Sequence, residues 1–256
     1  MSRRPRIVFI GAGNVATHLA QAFYRAGYPI AAVCSRTRAS AGTLAEKVKA
    51  PFTNRLHELP AADVYIIAVN DDAIARVARH PFPAQALVLH TSGGTGLDVL
   101  KQHSKRGVLY PLQTFSRAHS VDMKQVPFCI EAGSPQALSL LRRLALSVSG
   151  NIHRVSSQQR QVLHLAAVFA CNFSNHLYAI ADELLSASKL PFRLLEPLIA
   201  ETARKAIEEG PARSQTGPAI RKDHQVMKKH LQLLSNKKEL QRLYRLMSRS
   251  IMEQRA

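Results

Sequence analysis

The sequence predicts an α/β protein: a doubly wound, mostly parallel sheet followed by an all-α region. Three observations carry this expectation. Up to Val155, short apolar runs rich in β-branched residues alternate with segments of helical spacing across short connections. Beyond Val155 the strand signals stop, and the remaining hundred or so residues read as helix. The first run and the turn leaving it, Arg6 to Ala16 (R-I-V-F-I-G-A-G-N-V-A), give the order strand, glycine turn, helix. Two domains are expected, a dinucleotide-binding one over 1–155 and a helical one over 156–256.

Ile7 to Ile10 is an apolar run suited to a strand buried on both faces. Gly11-Ala12-Gly13 breaks it, and Asn14 to Tyr24 continues at helical spacing, with Val15, Leu19 and Phe23 on one stripe. The run matches G-x-G-x-x-A. Gly11 allows the tight turn, Gly13 lets backbone N–H groups approach a pyrophosphate, and Ala16 keeps the helix close to the sheet. Gly11, Ala12, Gly13, Asn14 and Val15 are therefore expected to hold a cofactor pyrophosphate at the helix N-terminus.

Ile30 to Cys34 reads as a second strand, ending in Ser35-Arg36-Thr37-Arg38, with a helix over 40–49. A cofactor with a free ribose 2′-OH usually meets an acidic residue here. The first acidic residue in the chain is Glu46. Ser35, Arg36, Thr37 and Arg38 instead suit a 2′-phosphate, so NADP(H) is expected over NAD(H). The alternative is that the two arginines are solvated loop charges.

Val64 to Val69 is the third strand. Val69 and Asn70 at its end are expected beside the cofactor, and Asp71 and Asp72 suit the cap and first turn of a helix over 73–79. Leu87 to His90 is the fourth, running into Thr91-Ser92-Gly93-Gly94, and Gly107 to Tyr110 the fifth, running into Pro111 to Ser116. Phe128 to Glu131 and Ile152 to Val155 close the sheet, with a helix over 136–147 between them. Ligands on such sheets bind beyond the carboxyl ends of the strands, which the turns at Gly11, Ser35, Asn70, Ser92 and Gln113 leave.

Helices are expected over 157–189, 191–209, 218–235 and 237–252, punctuated by Gly210-Pro211 and Thr216-Gly217-Pro218. In the first of them Ala166, Phe169, Phe173, Leu177, Ile180 and Leu184 form an apolar stripe at 100° per residue. The other side carries His164, Cys171, Asn172, Asn175 and Asp182. A solvated face would carry Lys and Glu, yet Gln161 to Ala181 contains neither, nor Arg or Asp. A face of His and Asn suits either a helix contact or a ligand, since Asn can orient a carbonyl and His can exchange a proton near neutral pH.

The three cysteines, Cys34, Cys129 and Cys171, share no metal-type spacing, and no metal is expected. Their sparse, odd count argues for a reducing compartment, and with no segment suited to spanning a membrane the expected location is cytoplasmic. Net charge is +18, its excess in residues 1–155 and 221–256. Such a field attracts nucleic acid, anionic surfaces or phosphorylated ligands. No nucleic-acid motif accompanies it, and Tyr244 is the lone aromatic after Phe192, so nucleic-acid binding is the weaker alternative.

With the glycine turn, the segments H-T-S-G-G, Y-P-L-Q-T-F-S, H-L-A-A-V-F-A-C-N-F-S-N-H-L-Y and T-G-P-A-I-R-K-D resemble a family of NADP oxidoreductases. Its members join a Rossmann-like domain to a helical domain of unknown function, and the resemblance covers nearly the whole chain. More distantly the sequence is similar to pyrroline-5-carboxylate reductase, prephenate dehydrogenase and β-hydroxyacid dehydrogenases, whose helical domains often dimerise. In the last group a matching S-G-G loop holds substrate beside the nicotinamide. The resemblance thus implies that role for Ser92 and a catalytic-helix role for Asn172. The catalytic Lys of those enzymes, one turn before the Asn, is Val168 here. His164 is the nearest candidate proton donor, His176 an alternate, and Asn175 joins Asn172 in polarising the reacting group. The expected activity is NADP(H)-dependent hydride transfer to or from a small anionic carbonyl, imine or hydroxy compound, with Arg221 a candidate for its carboxylate. A homodimer through 156–256 is expected. The absent Lys also suits a non-catalytic NADP(H)-binding or sensing protein.

Overall fold

The apolar run Ile7–Ile10 forms β1, fully buried on both faces as an unbroken apolar strand requires. The computed structural model describes residues 3–253; the outermost residues of the two expected domains, 1–2 and 254–256, lie outside the described residues. The remaining strands are β2 (Ile30–Cys34), β3 (Phe52–Thr53), β4 (Val64–Ile67), β5 (Leu87–His90), β6 (Arg106–Pro111), β7 (Phe128–Ala132) and β8 (Ile152–Arg154). They make one sheet in the order β3-β2-β1-β4-β5-β6-β7-β8. β3 was not expected from the sequence, because two residues leave no periodicity to read.

Neighbouring strands are parallel except β6 and β7. The segment joining that pair contains no helix, so the chain turns back beside β6 and cannot cross over to the far edge. Elsewhere the crossovers are helical: α1 (Asn14–Arg25), α2 (Arg38–Lys47), α3 (Asp71–Ala78) and α4 (Pro135–Leu146). Alternate residues of the strands face two cores, as double winding demands. Phe9 packs with Leu19, Phe23, Leu44 and Leu141 on one side. Val8 and Ile10 pack with Tyr65, Ile74 and Phe82 on the other. From β1 the chain first winds outward through β2, then returns to β4 on the opposite side. The crevice of such a sheet opens at this reversal, beyond the carboxyl end of β1.

The long helix expected over 157–189 is three pieces: α5 (Ser157–Ala167), a π-helical turn (Val168–Phe173) and α6 (Ser174–Ala187). A 3-10 turn, Phe192–Leu195, leads into α7 (Glu196–Glu208), followed by α8 (His224–Leu233) and α9 (Lys238–Glu253). The helix expected from Pro218 starts only at His224. Lys222 adopts a positive φ of 56°, which stops a helix, and the Asp223 side chain then caps α8 by accepting from the Val226 N–H at 3.1 Å.

The chain divides into two compact units, Met1–His176 and Leu177–Ala256. The division falls beyond position 155 because α5 is tied to the sheet. Its Ser157 N–H and hydroxyl and its Arg160 guanidinium all meet the Glu131 carboxylate on β7. In the second unit α7 and α8 have no fully buried residue. Among the described residues no helix is long and apolar enough to cross a membrane.

Candidate functional site

Gly11 has φ of 114°, and a Cβ there would lie 2.0 Å from the Ala68 carbonyl oxygen, so β4 runs too close for any other residue. Gly13 differs: a Cβ built on it meets no atom within 4 Å. As N-cap of α1 it offers no side chain to the free N–H groups, and the first turn holds no acidic residue. The helix therefore presents unfilled donors and its positive dipole end to open space, the setting an anion occupies. A cleft of about 490 Å³ begins here, lined by Gly11, Ala12, Gly13, Ser35, Arg36, Thr37, Val69 and Asn70 together with Arg76 and Arg117. Thr37 also caps α2 by accepting from the Ser40 N–H at 3.2 Å. Arg38 does not line this cleft; its guanidinium lies 5.2 Å from the centre of the Phe52 ring. Burial pushes the Cys34 thiol at the cleft wall up to about 11, which keeps it protonated.

Gly13, Val69 and Asn70 also line a second, larger cleft of about 820 Å³. Asn14, Val15, Ser92, His164 and Asn172 line it too, so most of the expected site residues share one connected groove. Asp71, Tyr110, Val168 and Cys171 join them. The Ser92 hydroxyl donates to Asp71 Oδ2 at 2.7 Å and accepts from the N–H groups of Gly94 and Thr95. Its hydrogen is therefore committed to the carboxylate. Tyr110 Oη lies 3.1 Å from His164 Nδ1, with the rings edge to face. A Cβ at Gly93 would come within 2.8 Å of both of these rings. Glycine is thus required where the loop passes beneath the pair. Burial, ahead of neighbouring charges, raises the Tyr110 pKa, so its phenol stays protonated at neutral pH.

The loop is fastened from behind. Fully buried Arg160 pairs with Glu131 at 2.5 Å and donates to the Thr95 carbonyl at 2.6 Å, while Gln161 donates to the Gly94 carbonyl at 2.9 Å. On the other flank, Arg117 donates to the Ala12 carbonyl, Asn14 donates to the Phe115 carbonyl at 2.9 Å, and His18 stacks on Phe115. The segment after β6 thereby lies over the start of α1.

The π turn decides which polar side chains of the long helix reach the cleft. On a straight α-helix His164 and Asn172 stand about 80° apart, and His164 and Asn175 about 20°. A π turn absorbs one extra residue and sets everything beyond it back by roughly 100°. Asn172, near the end of the π turn, takes up most of that offset and swings toward the His164 side, while Asn175, beyond the turn, is rotated off by roughly 80°. Accordingly Asn172 lines the cleft, whereas Asn175 and His176 are exposed and do not. Arg221 lies among the turns that precede α8.

Sequence reasoning passed over Asp71, Tyr110, Arg117 and Arg160 as site residues. Asp71 read as a helix cap, yet its carboxylate turns to Ser92. Tyr110 and Arg117 stand on the carboxyl side of a strand, the one signal that could have marked them. Among the described residues no group of three or more His, Cys, Asp or Glu is placed to hold a metal ion.

An α/β chain that brings an uncapped helix N-terminus and a hydrogen-bonded Tyr–His pair to one groove has the construction of the dinucleotide-dependent oxidoreductases. Residues 6–89 match the family model described as NADP oxidoreductase, coenzyme F420-dependent. Residues 126–251 match a domain of unknown function, DUF2520. No curated protein matches. Among solved structures, a Bacteroides fragilis protein assigned as an NADP oxidoreductase is 46% identical, over 98% of this chain and 99% of that one, with a TM-score of 0.92. A Thermotoga maritima protein is 23% identical over 96% and 99%, with a TM-score of 0.78. An imine reductase from Myxococcus stipitatus in complex with NADP+ shares the fold at 18% identity over 97% and 93%, with a TM-score of 0.69. The chain belongs to the family of NADP oxidoreductases that the Bacteroides protein represents.

Proposed function

We propose that this protein transfers a hydride between NADP(H) and the carbon of a small carbonyl, imine or hydroxy compound. The observation that carries this reading is the connected groove, with an uncapped helix N-terminus at one end and the Tyr110–His164 pair at the other. The open space at Gly13 and the arginines of the smaller cleft fit the cofactor's phosphates. Gly13, Asn14 and Val15 would hold the pyrophosphate from their N–H groups, and Ser35, Arg36 and Thr37 the 2′-phosphate. When bound, the cofactor supplies the hydride chemistry; the chain contributes orientation and one proton path.

His164 holds that proton. Its Nδ1 is engaged by the Tyr110 hydroxyl, which fixes the ring and leaves Nε2 to exchange with substrate. Asn172, on the same side of the helix, orients the reacting oxygen or nitrogen. Ser92 acts through Asp71 and the loop, since its hydroxyl hydrogen is already used. The helical residues 156–256 join two copies into a homodimer.

Val168 stands in the cleft where a catalytic Lys would, which favours a second reading, NADP(H) binding without turnover. One set of measurements separates the two. Arg36→Ala should weaken NADPH binding by about 1.5–3 kcal/mol and leave NADH binding unchanged. His164→Ala should preserve NADPH affinity and cut turnover of an accepted carbonyl or imine by about two to four orders of magnitude. Stoichiometric NADPH binding with no oxidation across carbonyl and imine panels would establish the second reading.

A further inference from the structure

Charge is divided sharply along the groove. Arg36, Arg76 and Arg117 line the smaller cleft, where the phosphates of a dinucleotide would sit. No Lys or Arg is among the residues lining the larger cleft, although the protein carries a net charge of +18. Its one carboxylate is Asp71, exposed to the cleft and held there by the 2.7 Å hydrogen bond from Ser92. Gly94 keeps this position open, since a Cβ there would approach Asp71 Oδ2 to 3.3 Å. The Tyr110–His164 pair lies against the preceding glycine, Gly93. A small molecule in this cleft thus meets one negative charge and a proton-exchanging pair.

Resting on the oxidoreductase reading above, we infer that Asp71 selects a cationic substrate, an iminium ion in one direction and the corresponding protonated amine in the other. A carboxylate-bearing substrate would be repelled by Asp71 and would find no Lys or Arg among the lining side chains. His164 acts here as the imidazolium: its Nε2–H proton passes to an imine nitrogen, leaving a neutral ring whose Nδ1–H donates to the Tyr110 oxygen, and the Asp71 carboxylate accepts a charge-assisted hydrogen bond from the N–H⁺ of the resulting iminium ion. Hydride addition then forms a C–H bond at the iminium carbon, and the π pair moves onto nitrogen. The substrate gains two electrons from a reduced nicotinamide and leaves as the amine. The sequence led to the expectation of an anionic substrate, with Arg221 a candidate for its carboxylate, and Arg221 is not among the lining residues. The local lining carries the opposite sign.

The test uses binding, so that it does not depend on turnover. Pyrrolidinium, tetrahydrofuran and cyclopentanecarboxylate are matched five-membered rings bearing a positive, no and a negative charge. Each is titrated calorimetrically at neutral pH into protein saturated with NADP+. Pyrrolidinium should bind at least about tenfold more tightly than tetrahydrofuran, a typical worth for one charge-assisted bond, and the carboxylate most weakly. Asp71→Asn should abolish the preference for pyrrolidinium, while Ser92→Ala, which keeps the carboxylate, should retain it. Asp71→Ser is the second charge-free variant, and unchanged NADPH affinity shows that each is folded. Equal binding of the three rings, tighter binding of the carboxylate, or a preference that survives the charge-free variants would overturn the inference. So would a charge-free variant that loses NADPH affinity alone, because Asp71 would then belong to the cofactor. Failure of the oxidoreductase reading is seen elsewhere, as wild-type protein that does not bind NADPH or never oxidises it.

Discussion

His90 shows how much a single residue of this site depends on its surroundings. It ends β5, is fully buried, and accepts the Ser92 N–H on Nδ1 at 3.2 Å, with no partner for Nε2. Burial, reinforced by the positive Arg160 and only partly offset by the nearby Gly96 backbone and by Glu131, lowers its pKa to about 4. Between pH 6.5 and 4 the unfolded chain binds a proton that the folded one refuses, so stability falls as pH falls through that window. The loss should total roughly 3 kcal/mol and level off below the folded value. Urea unfolding at stepped pH should show this slope in the wild type and a flatter one in His90→Gln. A parallel pair of curves would refute it. In the sequence, His90 is only the last letter of a strand, and Asp71 only a good residue for a helix start. Each acquires its role from residues far along the chain: Arg160 beside His90, and Ser92 beside Asp71.

At the scale of elements, local pattern was enough for the strand–helix alternation but not for the interruption of the long helix. Val168–Phe173 has no proline and no glycine, the usual marks of a break. The sequence therefore reads as one straight helix, and a straight helix puts Asn175 beside His164 where the π turn puts Asn172. Deleting Ala170 should restore α geometry and rotate the helix beyond it by about 100°. NADPH binding should survive, because the determinants proposed for it lie in residues 11–37 and 69–70, whereas the contribution of Asn172 should vanish. Asn172→Ala made in the deletion background should then change turnover little. Additive losses from deletion and substitution would show that the wide turn does not set the register. Similarly, the antiparallel return of β7 follows from a helix-free connection, which the sequence displays, but the partner strand is chosen by the sheet.

The whole molecule presents apolar surface that one copy does not cover. In the second unit Leu190, Leu194, Leu198, Ile207 and Leu233 are all exposed, Ile207 to 84%. Single exposed leucines are ordinary, but several successive helices without a buried residue leave the hydrophobic effect unsatisfied. Sedimentation at micromolar concentration should therefore show a dimer. Leu198→Glu combined with Ile207→Glu should shift it to monomer without altering NADPH affinity. A wild-type monomer would remove the basis for this expectation.

The sequence by itself determined the doubly wound sheet, the glycine turn at its reversal point and the arginine that follows β2. These depend on residues within a few positions of one another: apolar period, turn chemistry and the absence of a nearby acid are all local. It also determined that His164 and Asn172 stand on one continuous helical stretch, though not the π turn that holds Asn172. Only the tertiary structure decided that Tyr110 meets His164, that Arg117 reaches the glycine turn, and that buried Arg160 bonds to the loop after Ser92. It also decided that the larger cleft of a strongly basic protein is lined by a single carboxylate. Such pairings join residues far apart in the chain, as with Tyr110 and His164 at 54 positions or Arg117 and Ala12 at 105. They arise because crossovers bring the carboxyl ends of separate strands to one edge. Net charge is a sum over the chain, whereas a ligand responds to the few charges within about a Debye length of it.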